Sequence, residues 1–157
     1  MIVLGIDPGT TRIGYGVIET SGNSLRHIAS GVLPLVPRAT NAEKLLEIKT
    51  SLEKLLEEVR PEKVGIERLF FSKNKKTALA VAEARGVLVA TVARNNIPLF
   101  ELAPNEVKLA VTGNGSSKKS EVAKMVSLLL RFDVSHLLDD ATDALAIAIA
   151  SANKRVG

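Results

Sequence analysis

The chain has no cysteine and no tryptophan, and only one tyrosine and four phenylalanines in 157 residues. Without cysteine there are no disulfides, no thiol catalysis and no cysteine-ligated zinc, and a reducing compartment is permitted. With aromatics at 3%, a core has to be built from Leu, Val, Ile and Ala. Hydrophobic residues reach 46%, which excludes a disordered polymer. Long apolar runs are also missing. The most apolar region, 77–93, is broken by Glu83 and Arg85, and the stretch at 144–150 is too short to span a bilayer. The start, Met1-Ile2-Val3-Leu4-Gly5-Ile6-Asp7, has neither a basic leader nor a cleavage pattern, so a cytoplasmic protein without membrane association is expected. Charge of one sign is only mildly in excess: 21 Lys and Arg against 17 acids, a formal +4. If several acids are committed to a metal, the remaining surface is more basic than that figure, which favours a polyanionic partner.

What is present reads as one α/β domain over 1–157, long enough to bury a real core. Residues 2–6 are a continuous apolar run, 13–18 alternate with glycines, and 27–35 form a third strand. Turns at 7–11 and at Gly22-Asn23 join them into an antiparallel meander. Helical spacing follows over 42–59, with Leu45, Leu52, Leu56 and Val59 on one stripe, Thr40 or Asn41 as the cap, and Pro61 beyond the end. The rest reads as a short strand at 64–67, a helix at 76–94 and a strand at 98–102. A short helix opened by Pro104 runs to 110, a flexible loop covers 112–117, and helices span 120–131 and 139–153. No internal repeat or linker is visible. The helix at 76–94 is apolar around nearly its whole circumference, so burial on more than one side is expected. A homodimer would supply the second side, with Leu79 and Val87 among the outward positions.

Four acids stand out by position. Asp7 ends the first apolar run, Glu67 ends the run Val64-Gly65-Ile66, and Asp140 and Asp143 open the apolar stretch at 144–150. A carboxylate at the end of a buried strand costs solvation energy unless it is paired or holds a cation. Several such placements in one small domain point to hard oxygen ligands around a divalent metal. The bland reading is that acids end strands by meeting water and that Asp139, Asp140 and Asp143 favour the positive end of a helix dipole. Dipole capping explains Asp143 less well than the other two. Both Asp140 and Asp139 share a helical face with Asp143, so periodicity does not choose between them. Gly9 suits a tight turn after Asp7, and Gly14 and Gly16 permit close backbone approach, leaving room for a ligand beside the carboxylate.

Two loops carry basic residues. After Glu67 come Phe70, Phe71, Lys73, Lys75 and Lys76: aromatics able to stack on unpaired bases or wedge a junction, set among lysines. One of the two Phe side chains is expected to fold back into the core. Gly113-Asn114-Gly115-Ser116-Ser117-Lys118-Lys119 leads into a helix, where amides and lysines could meet phosphates. It lacks the P-loop pattern, which counts against nucleotide hydrolysis. The hairpin around Asp7 is similar to that of actin-like ATPases, but 157 residues do not hold their two lobes. His27 and His136 are expected to be structural or surface residues.

Taken together, Asp7-Pro8-Gly9, Ile66-Glu67 with Phe70, Ala84-Arg85-Gly86, Gly113-x-Gly115 with Lys119-Ser120, and Asp140-Ala141-Thr142-Asp143-Ala144-Leu145-Ala146 resemble the RuvC family, bacterial crossover junction endodeoxyribonucleases that resolve Holliday junctions. The resemblance runs in order through essentially the whole chain. It implies a ribonuclease H-like α/β fold, a mixed five-stranded sheet flanked by helices. It also implies a homodimer with two Mg2+ per subunit, acting on four-way junction DNA beside the RuvA–RuvB branch-migration complex. The expected reaction is symmetric nicking of two like strands, leaving 5′-phosphate and 3′-hydroxyl ends. The family's catalytic, metal-holding acids fall on Asp7, Glu67, Asp140 and Asp143, its stacking aromatic on Phe70, and its two lysines on Lys108 and Lys119. Phe71, Lys73 and Lys118 are expected to join the DNA contact. Two other readings stand beside this one: a junction-binding module that needs the basic surface but not the acids, and a related nuclease cutting RNA–DNA hybrids.

Overall fold

The computed structural model describes residues 1–9, 11–36, 40–69 and 75–155, the side chains of Lys75 and Lys76 excepted. Its elements in order are β1 (Ile2–Asp7), β2 (Gly14–Ser21), β3 (Ser24–Val32), α1 (Asn41–Val59), β4 (Lys63–Glu67), α2 (Lys75–Arg94), β5 (Leu99–Leu102), α3 (Pro104–Thr112), α4 (Lys119–Leu130) and α5 (Asp139–Ala152). The five strands form one mixed sheet in the order β3-β2-β1-β4-β5. β2 pairs antiparallel with β1 and β3, the expected meander, while β4 pairs parallel with β1 and β5.

Local chemistry sets the element ends. Thr40 caps α1, its hydroxyl accepting from Glu43 N while the Glu43 carboxylate accepts from Thr40 N at 2.7 Å. Arg60, in the left-handed conformation, closes the same helix ahead of Pro61. Pro104 opens α3, and Gly113 at φ 79 ends it, two residues later than the apolar pattern suggests. β3 begins and ends three residues earlier than its apolar run. The turn at Gly22, φ 58, sets Ser21 opposite Ser24 and fixes the register, and Pro34 has no N–H to carry the ladder on.

Each face of the sheet holds its own core. Leu4, Ile6, Val17, Val64 and Ile66 pack with Ile48 and Leu52 of α1 and with Ala84, Leu88 and Val92 of α2. On the opposite face Val3 and Ile18 pack with α3, α4 and the whole apolar length of α5. Residues alternate across a strand, so Gly5 and Asp7 of β1, and Gly65 and Glu67 of β4, share the face that α5 covers. A Cβ on Gly5 would lie 2.0 Å from Ala144 O, and one on Gly65 would lie 1.8 Å from Ser151 Oγ. Gly14 and Gly16 are equally filled, by Asp140 O and Leu145 N. The space these glycines leave is therefore taken by α5, by its backbone at Gly5, Gly14 and Gly16 and by the Ser151 side chain at Gly65, and not by a ligand. It lets the helix lie almost on the strands.

The expectation for the apolar helix needs correction in one detail. Within the chain, α2 buries one face, through Ala84, Leu88, Thr91 and Val92. Leu79 is 66% exposed, and Gly86, Ala90 and Ala93 continue its exposed stripe. Val87 is half-buried and packs on the α1 side of the core, so it is not an outward position. Among the described residues no helix is long and apolar enough to cross a membrane.

Candidate active site

Three elements bring the acids together. In the parallel pair of β1 and β4, Ile6 lies opposite Ile66, so Asp7 and Glu67 end neighbouring strands at the same edge of the sheet. The first turns of α5 pass over that edge because the glycine bed lets the helix down onto it. Asp140 and Asp143 then act electrostatically on Asp7, as Glu67 does. Asp139 is largely exposed, and of the two candidates left open by periodicity it is Asp140 whose charge acts on Asp7.

The crowding shows in the acidities. Burial, then the charges of Glu67, Asp143 and Asp140, push the Asp7 carboxyl from 3.8 up to about 7, against the smaller opposing pull of Lys119. Burial and Asp143 raise Glu67, with Lys119 and Lys108 opposing. Burial also raises Asp143, opposed by its hydrogen bond from Lys119. Lys119 Nζ lies 2.9 Å from Asp143 Oδ2 and 3.4 Å from Asp139 Oδ2. A cavity of about 210 Å³ opens beside these groups, lined by Glu67, Lys108, Lys119, Asp143 and apolar residues of α3 and α5.

Among the described residues no three acidic or histidine side chains stand together as a ready ligand cage. The chemistry of the donors nevertheless suits a divalent ion: all four are carboxylates, the hard oxygen ligands that Mg2+ prefers. Asp140 Oδ2 is buried and accepts no hydrogen bond, the kind of oxygen that a cation would satisfy. Of the four, Asp140 and Asp143 are paired to basic side chains, and Asp7 and Glu67 have no ion-pair partner among the described residues.

The other expected site residues are distributed unevenly. Lys118 is exposed at the start of α4, where its N–H donates to Glu121 Oε2 at 2.6 Å. Ser116 N donates to Asn114 Oδ1 and Ser117 N to Asn114 O, so these loop amides are engaged internally and the lysine side chains are left to meet an anion. Phe70, Phe71 and Lys73 lie outside the described residues. His27 stacks on Phe132 at 3.8 Å and Phe132 meets His136 edge-on, a structural cluster tying β3 to the segment before α5. Two arginines outside the expected set of site residues also reach this edge. Arg85 Nε donates to Glu67 O at 3.2 Å, and its other nitrogen pairs with Glu101, bracing the end of β4; its only signal was its place in Ala84-Arg85-Gly86. Arg12 Nε lies 3.0 Å from Asp140 Oδ2, and nothing in the sequence announces it.

Comparison with known proteins shows which family the chain belongs to. Residues 3–151 match the family model described as crossover junction endodeoxyribonuclease RuvC. A protein of that name from Thermosipho melanesiensis is 45% identical over 148 residues, 94% of each chain. One from Pseudothermotoga lettingae is 40% identical over 148 residues, 94% of this chain and 91% of that protein. Thermus thermophilus RuvC, solved in complex with Holliday junction substrate, superimposes with a TM-score of 0.89 at 32% identity, covering 97% of this chain and 93% of that one. With a ribonuclease H-like fold and a family match along almost its whole length, the chain belongs to the RuvC family of crossover junction endodeoxyribonucleases.

Proposed function

We propose that this chain, acting as one nuclease domain, resolves Holliday junctions: it nicks two like strands of four-way DNA symmetrically and leaves 5′-phosphate and 3′-hydroxyl ends. The observation that carries this reading is the meeting of Asp7, Glu67, Asp140 and Asp143 at one sheet edge, where burial and then the neighbouring carboxylates push Asp7 up to about 7. Like charges are not gathered in a half-buried site without cost, and a divalent cation offsets it. Asp7, Glu67, Asp140 and Asp143 would hold Mg2+, two ions per subunit. When bound, such ions would supply activation of the attacking water and stabilisation of the leaving 3′-oxygen.

The protein's own groups grip and orient. Lys108 and Lys119, beside the carboxylates, neutralise the strand that enters the cavity, and Lys118 extends that surface. Such contacts position DNA without reading its sequence. Phe70 would stack on an unpaired base, and Phe71 and Lys73 would join the DNA contact. Two copies join through the exposed stripe of α2, which sets two active sites against two like strands. By family likeness the RuvA–RuvB branch-migration complex is the partner that delivers the junction, in the cytoplasm.

The test is incubation with a synthetic four-way junction, a linear duplex and an RNA–DNA hybrid, each with and without Mg2+, followed by mapping of the cuts. Paired, symmetric, Mg2+-dependent nicks in the junction alone are expected. Cutting of the hybrid in preference to the junction would overturn the reading.

A further inference from the structure

Arg12 sits on the turn between β1 and β2, five residues after Asp7, with its side chain about half exposed. Its Nε is 3.0 Å from Asp140 Oδ2, yet that buried oxygen accepts no hydrogen bond, so the pair is held by charge and not by a well-aligned N–H. A Cβ on Gly9 would lie 2.2 Å from Arg12 O, and a Cβ on Gly14 would lie 2.0 Å from Asp140 O, so the Asp140 backbone packs directly on the start of β2. Beyond the turn, Leu33 N donates to Ile13 O at 2.8 Å. The Arg12 side chain reaches both the carboxylate and solvent.

Metal ligation and the Arg12 pair would draw on one carboxylate, Asp140. A divalent ion held there and a guanidinium 3.0 Å from its Oδ2 would repel each other, so the two compete. A guanidinium displaced from a carboxylate is still suited to phosphate, which offers the same fork of oxygens. We propose that Arg12 gates metal loading: it holds Asp140 in the DNA-free protein and passes to a phosphate of the bound junction, releasing the carboxylate to the ion. Junction binding and metal binding then reinforce each other. This rests on the reading that the four acids hold the metal. Lys119, on Asp143, stands in a parallel position, but it already belongs to the DNA-gripping set.

The gate gives an effect of unusual sign. Arg12→Gln should bind Mn2+ more tightly than wild type in the absence of DNA, on the order of tenfold by electron paramagnetic resonance titration, because a competing cation is gone. The same variant should bind a four-way junction more weakly in EDTA, with the slope of log K against log salt shallower by about 0.9. Arg12→Lys should restore part of both. A merely structural role would weaken metal and DNA binding together. Unchanged or weaker Mn2+ binding in Arg12→Gln overturns the gate. Asp7→Asn separates the two ideas: if it binds Mn2+ as wild type does, the four-acid reading fails instead.

Discussion

Helices α2 and α5 look alike as sequence and behave differently in the structure. Both are rich in alanine and apolar nearly all round, and they lie on opposite faces of the sheet. α5 is buried along its whole apolar stretch, from Ala144 to Ser151. Among its described side chains α2 buries only Ala84, Leu88, Thr91 and Val92 and leaves a stripe through Leu79, Gly86, Ala90 and Ala93 in solvent. The difference lies beneath the helices. α5 rests on Gly5, Gly14, Gly16 and Gly65, which let its backbone approach the strands. α2 meets Leu4, Ile6, Val64 and Ile66, which hold it off, and α1 covers only part of its flank. All-round apolarity therefore marks a helix with two faces to cover. What supplies the second face depends on its neighbours.

Glycine substitutions break this contrast most directly. Gly5→Ala should destabilise the fold by about 3 kcal/mol or more, because the new Cβ meets backbone atoms of Ala144 and Ala148 that cannot turn aside. Denaturant unfolding would show a large fall in midpoint, and lifting α5 would also carry Asp140 and Asp143 away from Asp7. A near-neutral result would mean that the helix floats above the sheet.

Charge on the exposed stripe is the next test. Leu79→Glu should leave the monomer folded, since the side chain is 66% exposed, and should split a dimer built on α2. Burying that charge unpaired at a contact costs several kcal/mol. Val87→Glu should instead damage the fold, because Val87 packs into the core. Sedimentation with circular dichroism separates the two outcomes.

The third prediction concerns the acids that α5 delivers. The folded-state value of Asp7 is about 7 against an ordinary 3.8, so between those values the native protein holds a proton that the unfolded chain has released. The stability contribution of Asp7 is therefore full below about pH 4 and falls as pH rises towards 7. Asp7→Asn removes this loss. In EDTA it should be more stable than wild type at pH 8 by about 1–4 kcal/mol and nearly equal to it in mild acid. A gain that does not grow with pH would place Asp7 apart from the other acids.

Gly86→Ala gives the smallest effect and completes the contrast. Nothing lies within 4 Å of the added Cβ. Helix propensity should raise monomer stability by about 0.5–1 kcal/mol, measured in dilute protein.

Much of this was legible because it is local. The strand runs, the Thr40 and Pro104 caps and the order of elements follow from hydrophobic period and capping chemistry, which act within a few residues. The acids were legible by position, since a carboxylate ending a buried strand needs a partner. The start of β3 was misread because an edge strand is defined by pairing through the Gly22 turn and not by its own apolar run. Asp139 and Asp140 were indistinguishable because both fit one helical face with Asp143. Their difference arises only where α5 crosses β1.

By itself, then, the sequence determined the elements, the absence of sulfur chemistry and a set of acids able to hold a metal. The tertiary structure decided that the charge of Asp140 and not of Asp139 acts on Asp7, that the glycines seat a helix instead of a ligand, and that Arg12 and Arg85 reach the site. Those outcomes depend on which atoms distant segments bring within a few ångströms of each other, and periodicity along one segment does not encode that.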